Sequence, residues 1–352
     1  MGARVRDSFN VPLENRHRAS FQNGTSLQSF LEPETGLFWT NSRQQRLHIR
    51  VWEPLEIFPS TAVIVIAHGF GSHLNSARGI GCLEKYAESL DAIMFVYDHH
   101  GHGFSEGERG LIQKWKHLAD DLVDFVQLLY NTPQASSDNY NLCSAACLDE
   151  VQRRPLVLAG ESVGGGVALA ATVRLQASDI CPQALLLFAP FLKAYVPFGA
   201  STSFTSAVQS LPLKNLSLPS MLIPNLRGED IFANEIDVKI FEMDRSKDVK
   251  ASLGWSKQMN AGTAASIVAM CDALKDLMPQ LETPVLVCHD PNDTISKIEG
   301  SERLNELARC SQLCKIPGGL HAPHFNKQVE VGDLCRKFLS QHLGCRAPAE
   351  MA

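Results

Sequence analysis

No stretch of this 352-residue chain approaches the ~20 consecutive apolar residues that a membrane-spanning helix needs, so no such span is read. No run of lysine and arginine is long enough to grip phosphates. With a net charge of −6 at pH 7, nucleic acid is not an expected partner. No apolar segment follows Met1-Gly2-Ala3-Arg4-Val5-Arg6, so no secretory leader is expected, and a myristoylation signal would want Ser or Thr where Arg6 stands. A disulfide framework is also missing: the 10 cysteines are scattered rather than densely spaced. Cys271, Cys288 and Cys310 sit in apolar runs and read as buried free thiols of a reducing compartment. Cys143 and Cys147 have a metal-like spacing, but no second pair completes a site. The expected location is cytoplasmic.

What is present is an ordinary globular composition, 45% apolar and 20% charged, which excludes disorder and collagen-like repetition. Residues 1–34 are polar and irregular, an extension. Leu37 to Thr40 and Leu47 to Trp52 flank the polar turn Asn41-Ser42-Arg43-Gln44-Gln45 and predict a β-hairpin. Then come continuous β-branched runs, the mark of strands buried on both faces: Ala62 to Ala67, Ala92 to Tyr97, Leu156 to Ala159, Ala184 to Phe188 and Val285 to Cys288. Helical periodicity lies between them. Leu118, Leu122, Phe125, Val126 and Leu129 share one helix face, with Asp120, Asp121 and Asp124 assigned to the others. Alternating strands and helices predict an α/β fold with a doubly wound, mostly parallel sheet.

Two segments interrupt that alternation. Residues 131–153 are polar and small, a surface loop insertion. Residues 191–262 carry Phe191, Tyr195, Phe198, Phe204, Met221, Phe232 and Phe241 among Pro and Ser breaks. Too long for a connection and too apolar for a linker, they read as a cap over the C-terminal edge of the sheet. The alternative is one more strand–helix unit, but a clean β-branched strand is lacking. The expected division is therefore a core in two parts, 35–190 and 263–352, with the cap at 191–262 between them.

The chemistry is concentrated in four loops. Gly160-Glu161-Ser162-Val163-Gly164 follows a buried strand and opens a small-residue helix. A serine on such a turn needs small residues two before and two after it, because the backbones approach closely there. The turn exposes the hydroxyl of Ser162 as a nucleophile and offers the amide of Val163 to a developing oxyanion. A second donor, the amide of Phe70, is expected in His68-Gly69-Phe70-Gly71-Ser72-His73. A base and an acid should follow in the order Ser, Asp, His. Asp290 and Asp293, in His289-Asp290-Pro291-Asn292-Asp293, both compete to orient the histidine. His321 follows the loop Pro317-Gly318-Gly319-Leu320, with His324 three residues later. The fourth loop holds His99, His100 and His102 near Asp98. Its glycines favour a tight turn over a metal site.

Taken together, these segments resemble the monoacylglycerol lipase and lysophospholipase branch of the α/β-hydrolases, from about residue 35 to residue 342. The string Gly101-His102-Gly103-Phe104-Ser105-Glu106-Gly107-Glu108-Arg109 is specific to that branch, and His321-Ala322-Pro323-His324 also matches. The resemblance implies an α/β-hydrolase fold with an inserted, mainly helical cap, within which Pro224-Asn225-Leu226 matches a short string. It also implies Ser162 as nucleophile, Asp293 as acid, His321 as base, and Phe70 and Val163 as oxyanion donors, with no cofactor and no metal. The implied reaction is hydrolysis of the acyl ester of a single-chain lipid, monoacylglycerol foremost, collected at a membrane surface through the cap. Lysophospholipid or water-soluble esters are the alternative substrates, and a non-catalytic receptor for a hydrophobic ligand is the alternative of another class. The chain departs from the branch at Glu161, where many members have His, at Asp290, usually Gly, and at Phe70, usually smaller. Its loop before His321 is also one residue shorter.

Overall fold

The computed structural model describes residues 37–52, 54, 61–74, 77–131, 151–194, 226–245 and 259–343, without the side chains of 77–81. The N-terminal extension, most of the 131–153 insertion with Cys143 and Cys147, and much of the expected cap lie outside the described residues.

The hairpin forms as the pattern predicts. β1 (Leu37–Thr40) and β2 (Arg46–Trp52) pair antiparallel with Trp39 opposite Leu47. In chain order follow β3 (Ala62–Ala67), α1 (Ala77–Ser89), β4 (Ala92–Tyr97), α2 (Trp115–Asn131), β5 (Leu156–Glu161), α3 (Ser162–Leu175) and β6 (Ala184–Phe188). Then come α4 (Gly228–Ile231), α5 (Glu235–Asp244), α6 (Ala261–Leu277), β7 (Val285–His289), α7 (Ile298–Leu307), β8 (Ser311–Lys315), α8 (Pro323–Asn326) and α9 (Gln328–His342). The described strands make one sheet in the order β1-β2-β4-β3-β5-β6-β7-β8. It is parallel from β4 to β8, and β2 joins it antiparallel along β4.

The continuous apolar runs follow from burial on both faces. Val63, Val65 and Ala67 of β3 face α2, α3 and α6, while Ala62, Ile64 and Ile66 face α1 and α9. Each fully buried Val, Ile or Leu contributes roughly 1.5–3 kcal/mol relative to exposure, so a strand packed on both sides cannot spare alternate positions for polar residues. The long parallel edge places the loops after β3, β4, β5, β7 and β8 together at the C-terminal ends of the strands, where open α/β sheets carry their sites.

Two sequence expectations need correction. Asp121 is not apart from the buried face but fully buried with Leu118, Leu122 and Phe125, its Oδ1 accepting hydrogen bonds at 2.6 Å from both Asn41 Nδ2 and Arg43 Nη2 of the hairpin turn. Cys310 is exposed, since it lies in the turn before β8 rather than in the strand, whereas Cys271 and Cys288 are buried free thiols.

Candidate active site

Ser162 ends the path of β5 and begins α3 with φ +50°, a left-handed conformation that a residue with a side chain adopts only under constraint. The constraint is visible on both sides. A Cβ on Gly160 would collide with the carbonyl of Gly164, and one on Gly164 would collide with the carbonyl of Ala67 at the end of β3. The helix start is thus pressed directly against two strand ends, and only glycine permits it.

The hydroxyl has a partner. Ser162 Oγ lies 2.9 Å from His321 Nε2, and His321 Nδ1 lies 2.8 Å from Asp293 Oδ2. His321 is delivered by the loop after β8, preceded by Leu320 at φ +49°. Asp293 comes from the turn after β7. Its Oδ1 accepts from the amides of Ile295 at 2.7 Å and Ser296 at 3.0 Å, which sets the carboxylate plane. Burial works to raise the pKa of this carboxyl. Hydrogen bonds from His289 and His321 outweigh it and hold the group well below the usual carboxylate range. A histidine whose Nδ1–H is held by a carboxylate presents the lone pair of Nε2 to the serine, so the hydroxyl can lose its proton as it attacks.

Asp290, the competing acid, faces elsewhere. Its Oδ2 accepts from the amide of Leu320 at 2.7 Å and its Oδ1 from Asn292 at 2.9 Å, so it anchors the loop that carries His321 without touching the imidazole. His324, the competing base, points its Nε2 at Glu161 Oε2, 2.9 Å away. The sequence flagged Glu161 as a departure and His324 as a rival, but it gave no sign that they meet. His289, on the far side of Asp293, was also missed. It stands 3.2 Å from Asp293 Oδ2, and its only sequence signal was its place at a strand end.

The loop after β3, from His68 to His73, rests on a stack of histidines. The His99 amide donates to His68 Nε2 at 2.9 Å, so that nitrogen is unprotonated and Nδ1 carries the hydrogen, donated to Gly69 O at 2.8 Å. His68 and His99 lie 4.2 Å apart and His68 and His102 5.4 Å apart, ring centre to ring centre. Burial pushes all three down to about 3, and their mutual repulsion adds to it. They are neutral. The ring of Phe70 turns edge-on to His102 at 5.6 Å. Asp98 binds this loop together, accepting from the amides of Leu74 at 2.7 Å and Phe104 at 3.0 Å and facing His48 Nδ1 at 2.8 Å. Among the described residues no group of three or more His, Cys, Asp or Glu is disposed to hold a metal ion.

The segment 226–245, within the expected cap, docks onto these loops. Asp230 O accepts from the His321 amide at 3.2 Å, Ile231 O from Asn326 Nδ2 at 2.8 Å, and Asp244 Oδ2 lies 2.7 Å from His73 Nε2.

Comparison with known proteins agrees with this architecture. The chain is 25% identical over 293 residues to a monoglyceride lipase homolog of Monkeypox virus, covering 81% of this chain and 88% of the relative. It is 23% identical over 286 residues to the monoglyceride lipase of Homo sapiens, covering 81% and 82%. Among solved structures, the monoacylglycerol lipase of Paleococcus ferrophilus superposes with a TM-score of 0.62 at 18% identity, over 84% of this chain and 99% of the other. A soluble variant of the Saccharomyces cerevisiae monoglyceride lipase, in complex with a substrate analog, gives 0.64 at 14% identity, over 89% and 98%. At these identities the structures establish the shared fold. The family described as serine aminopeptidase, S33, matches residues 59–328, and the chain belongs to it as a serine hydrolase of the α/β-hydrolase superfamily.

Proposed function

We propose that this protein hydrolyses the acyl ester of a single-chain lipid, most naturally a monoacylglycerol, through an acyl-enzyme on Ser162. The observation that carries this reading is the unbroken relay Ser162–His321–Asp293, at 2.9 and 2.8 Å. His321 takes the proton as Ser162 Oγ attacks the ester carbonyl. The amides of Phe70 and Val163 hold the oxyanion. The glycerol oxygen leaves with the proton from His321, and a water activated by the same nitrogen then attacks the acyl-enzyme, releasing fatty acid and restoring the serine. Asp293 keeps the imidazole in the required tautomer. The chemistry needs no cofactor.

The choice of lipid ester draws on the relatives named monoglyceride lipase and on the carboxylates of the described loops and of the segment docked on them. An aminopeptidase must hold a substrate ammonium with carboxylates. Glu161, Asp244, Asp290 and Asp293 are engaged with histidines or backbone amides. In this reading residues 191–262 cap a core formed by 35–190 and 263–352, and the cap meets a membrane surface from the cytoplasm. Ile236 and Met243 of α5, 62% and 49% exposed, support that contact.

The test is fluorophosphonate labelling together with an activity series over acyl length and head group. Wild type should be labelled, Ser162→Ala should not, and long-chain monoacylglycerols should outcompete lysophospholipids and short water-soluble esters. A flat preference for short esters would replace the lipid reading with a general esterase. Absence of labelling in wild type would leave a hydrophobic-ligand receptor.

A further inference from the structure

Glu161, the last residue of β5, has an extended backbone (φ −111°, ψ 143°) and makes no capping hydrogen bond to its own helix. Its carboxylate reaches sideways and joins two other loops. Oε1 accepts from the amide of Gly69 at 2.9 Å, and Oε2 faces Nε2 of His324 at 2.9 Å. His324 lies in an apolar slot, its ring 4.9 Å from that of Phe188 and 4.5 Å from that of Phe325, and Tyr86 Oη donates to its carbonyl at 3.1 Å. Its Nδ1 is buried with no partner among the described residues, so the polar anchoring of the imidazole comes through Glu161. Burial alone would raise the Glu161 carboxyl. The bond with His324 and the Gly69 amide reverse this and bring it to about 2, so the group is a carboxylate.

The loop that Glu161 holds is the one that presents the oxyanion amide. Gly69 N is fixed by Glu161, while Gly69 O is held by His68 Nδ1–H at 2.8 Å and by the Ser72 amide at 3.2 Å. A peptide unit is planar and its N–H points opposite to its C=O, so the bonds to Gly69 O fix where the N–H of Phe70 points, while the bond from Gly69 N to Glu161 holds the peptide plane immediately before it. The loop also lies hard against the nucleophile: a Cβ on Gly69 would be 3.2 Å from Ser162 Cβ and 3.3 Å from Glu161 Oε1.

We propose that Glu161 and His324 form a positioning pair for the oxyanion hole. The carboxylate of Glu161 aligns the Phe70 amide through Gly69, and His324 holds that carboxylate in register with the loop bearing His321. The pair exchanges no proton with substrate. This rests on the reading of Ser162 as nucleophile.

The experiment compares wild type with Glu161→Ala, Glu161→Gln and His324→Ala for kcat, KM and affinity for an alkylboronic acid, which forms a tetrahedral adduct on the serine with its oxygen in the oxyanion hole. Misaligning one such donor without deleting it should lower kcat by roughly 10–100-fold in Glu161→Ala, less than the 10²–10³-fold of outright removal. KM should stay within about threefold, and boronate affinity should fall by the same factor as kcat. Glu161→Gln keeps an oxygen for Gly69 N and should lose less. The inference is overturned if Glu161→Ala stays within twofold in kcat, if kcat falls without boronate affinity, or if Glu161→Gln is no better than Glu161→Ala. Should Glu161→Ala fail to fold, Glu161→Gln and His324→Ala decide by the parallel loss of kcat and boronate affinity. Wild type that neither binds the boronate nor reacts with fluorophosphonate would refute the nucleophile instead. Wild type and variants that bind the boronate equally would refute only the pair.

Discussion

Asp293 is shared by two imidazoles, with His289 Nε2 3.2 Å from the same Oδ2 that faces His321. His289 Nε2 also lies 2.9 Å from the carbonyl of Ser296, which can only accept, so this nitrogen carries a hydrogen. Its Nδ1 lies 2.7 Å from the hydroxyl of Ser301. His289→Phe, which removes this support, should lower kcat by about tenfold, the worth of one hydrogen bond of ~1.4 kcal/mol. Steady-state kinetics with KM and folding monitored in parallel check it.

The two aspartates separate by role. Asp293→Asn presents an amide to His321 and favours the wrong tautomer, so kcat should drop by about 10⁴-fold. Asp290→Asn retains an oxygen for the Leu320 amide and should keep most activity, while Asp290→Ala should lower Tm by several degrees. An esterase assay combined with thermal melts distinguishes them; equal loss in both Asn variants would contradict the assignment.

Gly164→Ala has nowhere to place its methyl, because the carbonyls of Ala67 and His68 occupy the space. Backbone cannot yield as a side chain does, so destabilisation of at least ~1–3 kcal/mol is expected, with labelling of Ser162 slowed more than 100-fold in whatever folds. Melting curves and the rate of fluorophosphonate labelling read the two effects separately.

Acid should unfold this protein by discharging particular carboxylates. Asp98, Glu161 and Asp293 are held below their ordinary values by histidine and amide partners against the effect of burial. Depressed acids contribute stability that is complete above about pH 4.5 and is lost as pH falls through the folded-state values. For Glu161, brought from 4.5 to about 2, this amounts to roughly 3 kcal/mol. Urea midpoints should fall steeply below pH 4, and Glu161→Gln should lessen the drop.

Asp121 has the opposite sign. Burial raises it to about 6 despite Arg43 and Asn41, so the folded protein keeps a proton that the unfolded chain has released. Its contribution is complete below about pH 4 and is lost as pH rises through 6. Stability should therefore decline between pH 4 and 6, and Asp121→Asn should flatten that slope in the same urea titration.

These residues also mark how far the sequence could be read. Val63, Ile64 and Val65 announce a strand buried on both faces, because apolar side chains at consecutive positions have no other economical use. Ser162 stands out because the turn demands glycines at fixed offsets. Asp290 and Asp293 could not be told apart, since both follow the same strand and only the backbone path of the turn decides which carboxyl meets His321. Asp121 was misplaced because helical periodicity ignores a hairpin turn that arrives from elsewhere in the chain with Asn41 and Arg43. The Glu161–His324 contact joins the end of β5 to α8, and local pattern carries no information about such pairings. The expected cap rested on composition alone, and most of it lies outside the described residues.

The seat of Gly164 on the carbonyl of Ala67 has an evolutionary corollary. Because main chain meets main chain there, the seat of the serine turn on the end of β3 is set by backbone and not by the side chains around it. Side chains elsewhere in the molecule can therefore change while Ser162 keeps its distance from the end of β3. Variation in what surrounds the serine and preservation of the turn that presents it thus become separately heritable.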